Sequence, residues 1–278
     1  KDILSDYLEN ALSTGLTKNG LERALLNIND LPGISAVSTI EPGVEEGSSK
    51  IILNVVEDDL VTGSITLDNH GNRYTAKQRS TVKIDVNNPA KIGDKLLITK
   101  TFNTGQKFDY SQFDYEVPVG KSGLKAFASV SRLEFEIGKE LKTNPVSLGN
   151  ADTYEVGVKY PIQRTNNQSV FLKTSIEKKE IYNETTGVLT NDKTLENAKI
   201  GLDFEGKNIF QDSSLTGVSV SGIFGDLDLS KVNLHDSLPE PVYLIPLLLK
   251  IDWIFPSSPP TPWRAIKAKE KFFENISC

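Results

Sequence analysis

Methionine is absent from the chain, and cysteine occurs once, as Cys278 at the last of 278 positions. One cysteine excludes an internal disulfide and any cysteine-based metal site. Histidine is nearly as scarce, and His70 and His235 cannot build a histidine cluster. A basic excess is lacking too: 31 Lys and Arg against 37 Asp and Glu give a net charge of −6, which argues against nucleic acid as a partner. The hydrophobic fraction of 38% is low for a helical membrane protein but compatible with a membrane β-barrel, whose strands alternate polar and apolar residues. No apolar signal segment opens the chain, and with no methionine we expect a mature or truncated start. Glycine is missing from the far end: all 20 lie before residue 231, whereas seven of the 13 prolines and both tryptophans lie after it. That break predicts a boundary near residue 230.

What is present begins with two helical patterns. Leu4, Tyr7, Leu8, Ala11 and Leu12 share one side of residues 4–13, and Leu21, Ala24, Leu25 and Ile28 form the stripe of a second helix from about Lys18 to Asn29. Leu31-Pro32-Gly33 stops it, because proline cannot continue a helix interior. Two short strands, Ile34–Ile40 and Lys50–Glu57, complete an α+β unit over 1–58, too small to be more than marginal alone.

From 60 to about 230 the pattern changes to period two. Nine strand-like segments are predicted: 60–69, 76–87, 94–102, 108–118, 123–137, 152–162, 168–181, 196–206 and 214–226. Most run to about ten residues, the length a tilted strand needs to cross a bilayer. Pro89, Pro118 and Pro161 all fall on even-numbered turns, while long loops such as GKELKTNPVSLGN and YNETTGVLTNDKT fall on odd-numbered ones. Short turns at one rim and longer loops at the other match an outer-membrane barrel. A soluble β-sandwich binding module would show the same alternation with its apolar face inward. Strand length, rim asymmetry and aromatics toward strand ends (Tyr110, Tyr115, Tyr154, Tyr160, Tyr182) favour lipid outside and a charged lumen inside, lined by Lys83, Asp85, Glu155 and Lys159.

LERALLNINDLPGISAVSTIEPG, followed in order by GSITLDNHGNRYTAKQR, NNPAKIGDKL and DYEVPVG, resembles the hemolysin activation and secretion transporters of two-partner secretion, within the wider outer-membrane assembly-protein superfamily. The resemblance runs from about Lys1 to Asp228. It implies a mainly β fold: an incomplete antiparallel transmembrane barrel, with eight or nine of an expected sixteen strands, behind a periplasmic POTRA-type domain whose first strand is missing. It also implies a location in the bacterial outer membrane, with membrane lipid and an unfolded secreted exoprotein as partners. The family's V/I-R-G-Y/F tetrapeptide does not occur, and residues 231–278 fit no strand pattern. We therefore expect a truncated or frameshifted copy. Its function would be exoprotein transport, with outer-membrane protein assembly or a non-functional copy as alternatives.

No catalytic constellation occurs, so no enzyme and no cofactor is expected. Asp226 and Asp228 read as a solvated strand-end pair, and His70 as a loop histidine with no second histidine nearby. Gly43 and Gly47 are followed by no G-K-[ST] and make no phosphate loop. The Asn183-Glu-Thr spacing has no meaning as a glycosylation site in a bacterial outer membrane. The functional candidate is instead a sheet edge for an extended chain. It is placed at Ile34, Ala36, Ser38 and Ile40, with Tyr7 and Leu8 beside it.

Overall fold

The computed structural model describes residues 2–12, 17–45, 48–103, 105, 107–209, 214–228 and 247–254. Most of the region after residue 228, with His235 and Cys278, lies outside them.

The N-terminal unit is built as its periodicity dictates. Helix α1 spans Asp2–Leu12 and α2 spans Lys18–Asn29. Thr17 caps α2 by accepting a hydrogen bond from Gly20 N, which satisfies one of the orphan donors of the first turn. Strands β1 (Ile34–Pro42) and β2 (Ser49–Glu57) pair antiparallel in a two-stranded sheet. Tyr7, Ile28, Leu31 and Ala36 form its buried core, with Leu4, Leu8, Leu25, Ile34 and Leu53 packed around them.

The remaining strands form one meander: β3 (Val61–Asp68), β4 (Arg79–Asn87), β5 (Lys95–Phe102), β6 (Phe108–Pro118), β7 (Lys125–Glu136), β8 (Leu148–Arg164), β9 (Gln168–Thr185), β10 (Val188–Lys207), β11 (Leu215–Asp228) and β12 (Leu247–Ile254). Each pairs antiparallel with its sequence neighbour, giving a ten-stranded sheet that is not closed, with β3 and β12 at its edges.

Two expectations are corrected. YNETTGVLTNDKT, predicted as the longest loop, is mostly strand. Thr186 (φ 53°) and Gly187 (φ 77°) form a two-residue hairpin turn, and β9 and β10 run on to meet it. A hairpin that projects beyond a membrane has water on both faces, so the period-two signal that marks a strand is lost. The second correction is β12, in a region where no strand was expected. Leu247–Ile254 opens with three apolar residues and alternates only over Leu249, Lys250, Ile251, Asp252 and Trp253, too short a stretch of period two to mark a strand.

Close packing across the sheet fixes some glycines. A Cβ on Gly157 would stand 2.4 Å from Thr174 O and 2.5 Å from Phe127 Cζ on the neighbouring strands. Gly157→Val is expected to destabilise the sheet by about 1–3 kcal/mol, the usual scale of overpacking, as read by urea unfolding in lipid vesicles. Gly120, with nothing near its Cβ position but φ at +69°, should be disturbed only through its turn.

Candidate functional site

Strand register places residues in rows that cross the sheet. One row reads Val61, Val86, Leu96, Tyr115, Ala128, Val156, Ile176, Ala198 and Phe224, apolar in all nine strands from β3 to β11. One residue along each strand lies the row Thr62, Asp85, Leu97, Asp114, Ser129, Glu155, Glu177, Asn197 and Gly225. Successive residues point to opposite faces, so one face is apolar and the other largely polar.

Exposure decides which face meets what. Val156 is 50% exposed and Ile176 63%, with no second sheet over them among the described residues, whereas the side chains of Glu155 and Glu177 are only 18% and 15% exposed. A soluble sandwich buries its apolar face, and this sheet does the opposite; that alternative is overturned. On β8 the apolar face runs Tyr154, Val156, Val158, Tyr160 and Ile162, nine residues of strand or roughly the 25 Å apolar band of an outer-membrane barrel once tilted. From the level of Tyr154 onward the same face turns charged, with Lys178 opposite Tyr154 and bound to Glu180 at 2.9 Å, and Arg132 bound to Asp152 by two hydrogen bonds (2.7 and 2.9 Å).

The polar face is cross-linked. Lys95 pairs Asp85 (2.9 Å), Lys199 pairs Glu177 (2.5 Å), and Ser175 donates to Glu155 Oε1 (2.6 Å). Lys159 and Lys173 instead lie over the rings of Phe171 and Phe127, at 4.3 and 4.6 Å from the centroids. Lys83, Asp85, Glu155 and Lys159 all fall on this face by their register positions. Tyr110 does too, donating to Gln112 Oε1, which corrects its expected place among the lipid-facing aromatics; Tyr115, Tyr154, Tyr160 and Tyr182 are on the apolar face.

The N-terminal unit sits on the rim formed by the short turns. Arg164, at the end of β8, clasps Asp30 with Nε–Oδ2 at 2.9 Å and a second nitrogen–Oδ1 contact at 2.7 Å, both side chains mostly buried. Lys125 Nζ donates to Asp30 O (2.8 Å) and to Glu116 (2.7 Å), and Arg23 donates to Pro161 O (2.8 Å). Asn166 N donates to Glu22 Oε1 at 2.6 Å, and Lys121 pairs Asp6 at 2.7 Å. The turn NNPAKIGD is held for this role. Fully buried Asp94 accepts from Ala90 N and from Tyr115 OH (2.8 Å), and Gly93 (φ +77°) lies against Leu31 and Ile3. Sequence reasoning missed Asp30, Arg23 and Arg164, which carry no local pattern. The signal at Asp30 and Arg164 is a charge at each of two element ends that fold together, while Arg23 lies within α2.

Of the six residues proposed for partner binding, Tyr7 and Ala36 are buried core, and Leu8 and Ile34 pack against it. Their side chains are not displayed, because helix periodicity and a half-buried strand produce the same apolar pattern whether or not an edge is used. Ser38 is half-buried and Ile40 is 56% exposed. The edge of β1 opposite β2 has no strand beside it among the described residues. Burial pushes the Tyr7 phenol up from its ordinary value of 10, and the nearby Asp30 charge adds to this. The unfolded phenol then ionises first as pH rises. The contribution is fully present below pH 10 and is lost as pH climbs through the native value. Urea unfolding should show stability falling as pH rises above 10, about tenfold in the folding constant per unit of separation, and Tyr7→Phe should flatten that fall.

A ten-stranded, antiparallel, neighbour-paired sheet, apolar outside and polar inside, defines the outer-membrane β-barrel class. The family described as haemolysin secretion/activation protein ShlB/FhaC/HecB matches residues 47–220, and the chain belongs to that family. It is a family of secretion channels, not of enzymes, and its fold places the chain in the outer membrane. The chain is 24% identical over 213 residues to the heme/hemopexin transporter protein HuxB of Haemophilus influenzae strain 86-028NP, covering 76% of this chain and 37% of that protein. It is 25% identical over 225 residues to HuxB of strain Rd, covering 81% and 39%. Among solved structures, CdiB from Escherichia coli superposes with a TM-score of 0.72 at 17% identity, over 92% of this chain and 49% of CdiB. CdiB from Acinetobacter baumannii gives 0.64 at 16%, over 86% and 43%. The chain thus spans well under two thirds of the relatives it matches.

Proposed function

We propose that the chain recognises an unfolded partner exoprotein and carries it across the outer membrane in two-partner secretion. The Asp2–Glu57 unit acts as a POTRA-type domain on the periplasmic side, and the charged face with Lys83, Asp85, Glu155 and Lys159 lines the path. The observation that carries this reading is the inverted sheet: apolar side chains exposed, charged ones drawn together on the other face, and an unpaired strand edge docked at the short-turn rim. An extended chain can add to such an edge through main-chain hydrogen bonds alone, which suits a passenger that has not folded. Ion pairs such as Lys199–Glu177 on the polar face keep it hydrophilic.

The test is photo-crosslinking in cells that also express a candidate two-partner-secretion exoprotein. Benzoylphenylalanine at Ile40 and at Lys159 should give exoprotein adducts, and at Val156 none. Adducts with other outer-membrane barrels instead would make the chain an assembly factor. Absence of any adduct at Ile40 and Lys159 would overturn both.

A further inference from the structure

The unpaired edge of β1 is not open along its whole length. Gly33 O accepts from Asp58 N (3.0 Å), so odd-numbered positions of this strand turn their main-chain groups toward β2. The alternation of an antiparallel pair then turns those of Ala36, Ser38, Ile40 and Pro42 to the opposite side. At Ala36 that side is already taken. Asn29 Nδ2 donates to Ala36 O at 2.9 Å, and Ala36 N donates to Asn29 Oδ1 at 2.7 Å. This is the pair of bonds with which a neighbouring strand would hold Ala36, supplied by a side-chain amide. The amide is set in place by a further bond from Nδ2 to Leu25 O (3.0 Å), one turn back in α2. At the other end, Pro42 has no N–H to offer. Between the two lie the N–H and C=O groups of Ser38 and Ile40, and no described strand pairs with them.

We propose that Asn29 and Pro42 are the two stops of this edge, limiting an added strand to Ser38–Ile40 and fixing its register. The ligand class is a short extended polypeptide segment, recognised through its main chain and carrying no proline at the paired positions. This rests on the transport reading above and deepens it. Four main-chain groups give a hold weak enough to release, whereas the full nine residues of β1 would grip a passenger as firmly as β2 does. The stops also shield the strand from permanent edge-to-edge pairing with another chain, the hazard of any exposed strand.

The test uses the full chain in detergent micelles and a fluorescein-labelled nonapeptide of alternating Thr and Val. Fluorescence anisotropy gives the Kd, and amide hydrogen exchange by NMR gives the residues covered. In the unaltered protein the peptide is expected to slow exchange at Ser38 and Ile40. Asn29→Ala frees both groups of Ala36. It should speed Ala36 exchange without peptide, add Ala36 to the protected amides with it, and tighten Kd on the order of tenfold. Pro42→Ala restores a donor at the far end, leaves α2 untouched, and should tighten Kd about threefold, so the outcome does not hang on Asn29→Ala folding. Protection of Ser38 and Ile40 with Kd unchanged in both variants would overturn the stops and leave the edge reading standing. No protection at those amides in any of the three proteins would overturn the edge reading as well.

Discussion

Val156→Arg is expected to cost about 2–4 kcal/mol of folding free energy in lipid vesicles, the scale for an arginine at the midplane of a barrel's lipid face. Val156 lies inside the apolar band of β8, two residues from its centre at Val158 and between Ala128 and Ile176, and is 50% exposed. Exposure is what makes the result decisive. In water a half-exposed valine on a strand tolerates arginine almost freely, since the long side chain snorkels and its charge stays hydrated. In hydrocarbon the guanidinium loses its water with no acid on this face at that height to receive it. Ser131→Arg on the polar face is the control; substitutions facing a barrel's interior are tolerated, and about 1 kcal/mol or less is expected. Urea titration of both proteins in vesicles reads the difference, and equal costs would mean that the two faces meet the same solvent.

The second large effect is expected at the seam between the N-terminal unit and the rim. Arg164→Ala removes both hydrogen bonds to the Asp30 carboxylate, in a pair whose side chains are 18% and 28% exposed. Hydrogen bonds to charged groups contribute about 1.5–3 kcal/mol, and leaving Asp30 half-buried without its cation adds desolvation cost. The sheet itself should be nearly unaffected, because Arg164 is the last residue of β8 and its ladder is main-chain. What should change is the set of the unit on the rim. Spin labels at Lys18 and at exposed Val119 are expected to give one narrow distance distribution with Arg164 in place and a broad one in Arg164→Ala. The swap Asp30→Arg with Arg164→Asp should restore much of the narrow component, since Lys125 also holds Asp30 through its main-chain oxygen, which the swap keeps. A distribution unchanged by Arg164→Ala would assign the seam to the remaining contacts at Arg23, Glu22 and Lys121.

Legibility in the sequence followed the physics of each element. The helix expected from about Lys18 to Asn29 was readable because its stripe is buried on one side and Leu31-Pro32-Gly33 stops it. The strands that cross the membrane were readable because lipid and water on opposite faces force period two. β9 and β10 faded where they leave that asymmetric setting, and β12 was missed because its alternation is confined to the few residues around Lys250 and Asp252. Lys83, Asp85, Glu155 and Lys159 were assigned to the charged face by the same period-two rule, and register agrees. The edge residues were harder. Ile34 and Ala36 belong at once to a core by side chain and to an edge by main chain, and sequence reports only the side chain. Asn29 and Arg164 act across folded distance, on partners seven and 134 residues away, and nothing local marks them.

The two faces of this sheet decide whether it spans a membrane. With Cys278 changed to Ser, nitroxide labels at Val156 and Ile176, and separately at Glu155 and Ser129, can be challenged in vesicles with oxygen, which concentrates in lipid, and with a neutral nickel chelate, which stays in water. Oxygen should dominate relaxation at Val156 and Ile176, and the nickel chelate at Glu155 and Ser129. Nickel access at all four positions would contradict a membrane-spanning sheet with a wetted inner face.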